Sequence, residues 1–545
     1  MPLPISDTVN IWPPKSLDQI LPSMGRWSAW WANSIEQLQI AYGGGTTGDT
    51  TGFFASDTGG QKVHSLGPVS WFVGRPTVGN QRNTKLPIPI ASEMCQASAD
   101  LLFSDPVTVT IGAPPEADGK THTVSPTQTR LGELMDDNFH STMAEAAEVC
   151  AALGGVFLRV TWDDKVFPDG PFSTIVDADR AIPEFKWGKL WAVTFWTVVH
   201  RDGKLVYRHL ERHELDAGGN GVILHGLYEG EEDKLGTKIS LASRPETEAM
   251  ALHIDLNVEG TIDTLSPGLA VQYVPNQTPN RIWRTDPIGR HLGRSDLDGV
   301  EHLMDQLAET MSDWMRARRA ARARVMMSKD LVKSTGPGKG TVVDLDQEVY
   351  VNTDFAMGGG PSSSPKLSDR VQVLQPEFDP TGYKTTAQEL IEQILQMAGY
   401  SMQTFGVQPD SGSSERTATE IESKERRSLM TRARKIREWT PAVEAHLTKL
   451  LAVDKEFFGY PNVVTELNVE FSDGVQESQI KLGQFVQSLF VSESASVEER
   501  VAILHPDWDD EQIGTEVGKI KTEFAQQPMV DPVMAPFGER NAAAQ

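Results

Sequence analysis

Three long helical patterns in the second half of this 545-residue chain leave few ways to fold it. The first is opened by Ser295 and Asp298, spaced as a capping box. It then keeps Leu297, Val300, Leu303, Met304, Leu307, Met311, Trp314 and Met315 on one stripe. Helical to Arg324, it would span about 45 Å. That exceeds the radius of an average domain, so part of the stripe needs a partner outside its own domain, and a neighbouring subunit is the natural one. The second helix has Asp379 as N-cap and Pro380 at the first helical position, and it stops at Gly399. The third opens with the capping box of Thr417 and Glu420 and runs to about Leu451, with a kink expected at Pro441. Between the first two helices, strand-like pieces alternate with GPGKG and GGGPSSSP, which predicts a small β-rich insert. A polar loop, QPDSGSSER, separates the second helix from the third.

The first half reads differently. Clustered tryptophans, Trp12, Trp27, Trp30 and Trp31, suggest an aromatic anchor ahead of a Gly/Thr-rich stretch from Gly43 to Gly60. Helical spacing covers Ile90 to Phe103 and leads into VTVTI, and a second helix is predicted from Leu131 to Leu153. GVFLRVTW, KLWAVTFWTVVH, KLVYRHLERH and GVILHGLYEG then follow with turn residues between them, the pattern of a mostly antiparallel sheet. The fold class is therefore α+β. An amphipathic helix around Gln479 to Phe490, a helix-opening HPDWDDEQ and a Pro/Ala-rich tail after Gln526 complete the chain.

Chemistry is hard to find. GPGKGT at Gly336 to Thr341 has its lysine before the glycine, so it is no P-loop. His209, Glu211 and His213 alternate on a strand and share a face, which admits a metal site, but a polar sheet face is the favoured reading. Asp507, Asp509, Asp510 and Glu511 lack the turn glycine of a calcium loop and read as helix capping. Cys95 and Cys150, the two cysteines, form no CxxC pair and read as buried thiols in a reducing compartment. No cofactor, metal or catalytic motif is expected, and no membrane: no apolar run reaches spanning length, and the N-terminus has no leader pattern. With 75 acidic against 50 basic side chains the net charge is −25, which disfavours a conventional DNA-binding protein. The basic residues concentrate at the end of the first long helix, Arg316, Arg318, Arg319, Arg322 and Arg324, and in the third, Lys424 to Arg437. They point either to phosphates or acidic neighbours, or to solvated helix faces; at a helix C-terminus the macrodipole alone favours them.

Most of the chain resembles the portal proteins of long-tailed, double-stranded DNA bacteriophages. The resemblance is carried by PIPIASEMCQASADLLFSDPVTV, by HLERHEL before LHGLYEG, and by GRSDLDGVEHLMDQLAETMSDWMRARRAARARVM. SMQTFGV before ERTATEIESKERRSLMTRARKIREWTPAVEAHLTKLLAVD, and HPDWDDEQIGTEV, continue it in the same order. It implies an N-terminal region and α/β wing over 1–294, stem helix 1 over 295–324, and a β-rich clip over 325–378. Stem helix 2 over 379–399, a tunnel loop over 400–416, a kinked helix over 417–452, and a helical crown with tail over 453–545 would follow. The implied assembly is a homo-oligomeric ring of about twelve subunits at the unique capsid vertex of the virion, put together in the host cytoplasm. It would be a non-enzymatic channel for DNA packaging and ejection. Gln408, Asp410, Ser411, Ser413, Ser414, Glu415 and Arg416 would line the channel beside sequence-nonspecific double-stranded DNA. Lys329, Lys333, Lys339 and Asp344 of the clip would meet the terminase large subunit or a head-tail connector. Major capsid and scaffold proteins are further expected partners. Another head-tail structural protein, or an unrecognised enzyme, is the alternative class.

Overall fold

The computed structural model describes residues 3, 11–42, 87–112, 125–135, 137–163, 165–251, 260–321, 324–328, 351–353, 371–374, 378–405, 418–463, 467–472, 479–492, 494–505 and 510–526. They fall into two compact units, one made of 1–112 with 126–471, the other of 113–125 with 472–545.

The larger unit begins with α1 (Leu21–Trp31) and α2 (Ile35–Tyr42), continues through α3 (Ile90–Phe103), β1 (Thr108–Ile111), α4 (Pro126–Leu134) and α5 (Asp137–Leu153), and enters its strands at β2 (Gly155–Thr161) and β3 (Phe172–Asp177). The single helix expected over Leu131–Leu153 is thus two. Leu134 ends the first and Asp137 begins the second. Next come β4 (Ala181–Lys186), β5 (Lys189–Asp202), β6 (Leu205–Leu215), β7 (Asn220–Gly230) and β8 (Thr237–Ile239), which form an antiparallel meander in that order. After α6 (Pro245–Ala251), β9 (Thr261–Pro267) also pairs with β7, and β10 (Val271–Pro275) joins β2 and β3 in a separate antiparallel sheet. The four sequence segments that read as strands are β2, β5, β6 and β7.

Then the long helices begin. α7 (Glu301–Ala320) is followed by β11 (Arg324–Ser328), β12 (Val351–Thr353) and β13 (Val371–Leu374), a three-stranded sheet with β11 central. α8 (Pro380–Ala398), α9 (Ala418–Phe458) and β14 (Leu467–Glu470), which pairs with β1, close the unit. α7 is shorter than the sequence suggests, at twenty residues and about 30 Å. Ser295 is no capping box: its hydroxyl accepts from Leu297 N–H and donates to the carbonyls of Ala151 and Ala152, and Gly299 turns the chain at φ +83° before the helix starts. At the far end Arg324 lies on β11 opposite Leu374, not on the helix. The caps of α8 are as read from sequence: Asp379 accepts from Thr381 and Gly382 N–H, and Gly399 stops the helix at φ +98°. Pro441 lies inside α9, which runs on to Phe458.

One apolar core gathers these pieces. Trp27 and Trp30 from α1, Met94 and Cys95 from α3, Cys150 from α5, Phe157 from β2, Leu297 and Met304 at α7, Ile394 from α8, and Trp439 with Leu447 from α9 are all buried in it. Both thiols are free, and burial pushes them above the ordinary cysteine range, so they stay protonated. The expected aromatic anchor is real. Trp27 tilts against Trp283 and donates to Glu301 at the start of α7 at 2.9 Å, while Trp12 packs edge-on to Trp196 in a smaller cluster with Leu3, Leu210, Tyr228 and Leu235.

His446 of α9 is fully buried and meets Ser173 Oγ of β3 at 2.7 Å, and burial pulls its pKa down to about 4. The unfolded chain therefore takes up a proton near pH 6.5 that the folded chain refuses until about pH 4. Stability is full above the first value and falls as pH drops toward the second. Between pH 7 and pH 4.5 this residue alone should remove about 2–3 kcal/mol. A His446→Gln variant, unfolded in urea at both pH values, is expected to show a correspondingly smaller pH difference; an unchanged difference would assign the acid limb elsewhere.

The smaller unit holds α10 (Gln479–Val491), α11 (Val497–Leu504) and α12 (Asp510–Gln526), with α11 packed on both neighbours. Ser496 caps α11 by accepting from Glu499 N–H, Val501 and Val517 are buried, and Asp510 and Glu511 are the first two residues of α12. Asp507 and Asp509, the Gly43–Gly60 stretch and the tail after Gln526 lie outside the described residues.

Candidate functional site at the foot of the helix pair

α7 and α8 pack along each other, and their apolar stripes change character along their length. Leu297, Val300, Met304, Leu307 and Ala308 are buried, whereas Met311, Trp314 and Met315, further along the same stripe, are only half-buried. Trp314 stacks on Tyr383 of α8 with ring centroids 6.3 Å apart, and a groove of about 580 Å³ runs between the helices with Glu309, Asp313 and Asp379 among its walls. The outer half of the pair therefore keeps apolar surface that is only half-covered among the described residues, with acidic groups beside it.

Where the pair enters the core, five parts of the chain converge on one carboxylate. Asp296, just before α7, is 2% exposed. Its Oδ1 accepts from Asn276 Nδ2 at 2.8 Å and Gln277 Nε2 at 2.7 Å, and its Oδ2 accepts from Lys435 Nζ and Tyr400 OH, both at 2.6 Å. Lys435, equally buried on α9, spends its remaining donors on Ser98 Oγ of α3 and on Tyr400 OH. Tyr400, two residues past α8, has its pKa raised well above the ordinary phenol value by burial and by the adjacent Asp296, so it stays a donor. Asp296 N–H and the Ser295 hydroxyl also satisfy the last carbonyls of α5, which a helix end leaves without partners. The approach is close: Gly154, at φ +86°, sits where a Cβ would lie 2.8 Å from Gly293 O, so only glycine fits. At the other side Gly399 O accepts from Thr431 Oγ1 of α9 at 2.7 Å. The entry to α7, the exit from α8 and the middle of α9 are thus locked to one another by a buried ion pair whose donors and acceptors are matched.

Lys435 belongs to the basic run that the sequence suggests for phosphates or acidic neighbours, and that reading fails for it, because it is buried and spoken for. Arg432 also turns inward, donating to Leu101 O at 2.6 Å. A second buried ammonium, Lys449, shares its three hydrogens among Thr264 Oγ1, both Ser266 oxygens and the carbonyls of Pro267 and Gly268, with no carboxylate among those partners. Burial lowers its pKa to about 8, which leaves it charged at neutrality. Of the first basic cluster, Arg316 pairs with Asp313 at 2.9 Å on the surface, Arg318 is exposed and Arg319 follows it on α7. Arg322 lies outside the described residues, as do Lys329, Lys333, Lys339 and Asp344, and Gln408, Asp410, Ser411, Ser413, Ser414, Glu415 and Arg416.

His209, Glu211 and His213 sit together on β6 and form a polar sheet cluster. Glu211 accepts from Arg159 and from His213 Nε2, each at 2.7 Å; burial alone would raise its pKa, yet these two partners hold it well below the usual carboxylate range. His209 is bonded to His225 at 3.2 Å with the rings stacked, and burial lowers the pKa of both. Every member thus has a protein partner, and among the described residues no three acidic, histidine or cysteine side chains are placed to share a metal ion. Nor is any described helix long and apolar enough to cross a membrane.

No curated protein matches the sequence. Among solved structures, the virion of a native gene transfer agent particle is 12% identical, covering 77% of this chain and 90% of that one, with a TM-score of 0.37. The neck of an empty gene transfer agent particle computed with C6 symmetry is 13% identical, over 77% and 90%, at 0.40. The neck of a native particle computed with C12 symmetry is 14% identical, over 76% and 89%, at 0.32. These likenesses are too loose to carry an argument. The sequence itself does: residues 77–527 match the model described as phage portal protein, SPP1 Gp6-like, and the chain belongs to that family of portal proteins.

Proposed function

We propose that the chain assembles into a closed ring of about twelve copies at one capsid vertex, through which double-stranded DNA is packaged and ejected. The observation that carries this reading is the α7–α8 pair. Its apolar stripe continues past Ala308 into Met311, Trp314 and Met315 without full cover from its own chain, which a neighbouring copy of the same pair would supply. In this reading α7 and α8 are the stem, and residues 325–378 with the β11–β13 sheet are the clip that meets terminase or a connector through Lys329, Lys333, Lys339 and Asp344. Residues 400–416 are the loop that borders the DNA, and 453–545 are the crown. The acidic total suits a conduit. Phosphate contacts add affinity and would brake a sliding polyanion, so a wall that is acidic or neutral lets the duplex pass, and passage needs no base-reading element. Major capsid and scaffold proteins would surround the ring.

Electron microscopy and native mass spectrometry of the purified chain, with imaging of the particle vertex, test this. Closed rings with a hole wide enough for a duplex, and a mass about twelve times that of one chain, are expected. A different protein at the vertex, or open oligomers only, would overturn it.

A further inference from the structure

The outward face of α9 carries a row of arginines that finds no ion-pair partner among the described residues. Arg426, Arg427, Arg434 and Arg437 are exposed, with Met430, 53% exposed, among them. Positions 427, 430, 434 and 437 follow the helical repeat and cover about 15 Å. None of the four arginines makes an ion pair among the described residues.

A row of the opposite sign lies on α8. Thr385, Glu389, Glu392 and Gln396 are exposed at spacings of four, three and four, again about 16 Å, and Met397 beside them is 60% exposed. Neither Glu389 nor Glu392 makes an ion pair among the described residues; Glu392 accepts only from Gln396 Nε2, at 2.9 Å. The rows match in length, in opposite charge and in each carrying one exposed methionine. The two helices also touch near the end of the acidic row, where Thr431, inside the arginine stretch, bonds the carbonyl of Gly399, one residue past α8.

We propose that the Arg426–Arg437 face of one subunit docks on the Glu389–Glu392 face of the next. This rests on the ring reading and names the pairing within it. The contact is heterologous: each subunit offers both faces, so a rotation repeats it around a ring and leaves no row unpaired. Arginine forks on carboxylates supply direction, and Met430 and Met397 supply adaptable apolar contact.

Charge reversal on the full chain tests the pairing. Arg434→Glu with Arg437→Glu, or Glu389→Arg with Glu392→Arg, should raise the concentration for half-assembly at least about tenfold, and combining all four changes should restore rings to within about threefold of the parent. All four side chains are exposed, so unchanged circular dichroism and melting are expected of every variant. Rings from the parent and from either reversed pair alike would overturn the pairing and leave the ring reading standing. Normal rings from the arginine variant that retain less DNA would overturn it in favour of phosphate contacts. Monomers from the parent at every concentration, with another protein at the vertex, would overturn the ring reading and the pairing with it.

Discussion

Lys435→Met is expected to destabilise the folded chain by about 4 kcal/mol, because it strips the cation from a buried carboxylate while leaving the carboxylate in place. Asp296 would keep Asn276, Gln277 and Tyr400 as donors, but all three are neutral, and the carboxylate is 2% exposed. Ser98 Oγ loses its donor at the same time. Adding Asp296→Asn to Lys435→Met removes both charges, keeps the volume, and should recover at least about half of the loss; the coupling between the two sites is then the measured quantity. Urea unfolding of the parent, the two single variants and the double variant gives it directly. Purely additive losses would mean that the pair contributes packing and little electrostatics. The position matters beyond stability. Asp296 leads into α7, Tyr400 leaves α8, and Lys435 lies on α9, so a loosened joint frees the angle of the helix pair, and variants that still fold should assemble more weakly in the ring reading.

The helices with local signals were legible in the sequence, and the joint between them was not. α8 announces itself through Asp379, Pro380 and Gly399, whose effects act within one turn, and the structure bears out each. The start of α7 is not legible locally because Ser295 has a competing use: its hydroxyl goes to the carbonyls of Ala151 and Ala152, more than a hundred residues away, and no local pattern encodes that. Lys435 was hidden by its neighbours. It stands in a basic run, yet it shares a helical stripe with Ser428, Thr431, Trp439, Val443 and His446, all buried. Periodicity carried the burial, while the charge run suggested solvent; following Trp439 and Val443 back by fours would have reached it. The α+β class was readable because strands and helices occupy separate stretches, with the β-rich run at 155–277 set between helical stretches. The histidines of β6 needed Arg159 and His225 from other strands before the polar-face reading could be preferred on structural grounds.

The second large loss is expected at Arg130 and Asp454, 324 positions apart. The guanidinium grips the carboxylate with Nε at 3.0 Å and an Nη at 2.8 Å, and Asp454 is fully buried. Asn462 Nδ2 donates to Asp454 Oδ2 at 2.8 Å, Glu133 and the Asp169 carbonyl each accept one further arginine N–H, and the Tyr460 ring lies 3.7 Å from the guanidinium carbon. The hydrogen bond to Asp454 is the main reason the arginine's pKa is raised above its ordinary value. Asp454→Ala therefore leaves a confined cation with one exposed acid, Glu133, and should cost about 4 kcal/mol. Arg130→Lys separates charge from geometry. It keeps one positive charge but cannot bridge both carboxylate oxygens and the Asp169 carbonyl from one planar fork, and it gives up the flat contact with Tyr460, so about 2 kcal/mol should still be lost. If Arg130→Lys were as stable as the parent, attraction alone would hold this site. If it lost as much as Asp454→Ala, the fork would be the whole of the interaction, and α4 would be fixed to the end of α9 by shape more than by charge.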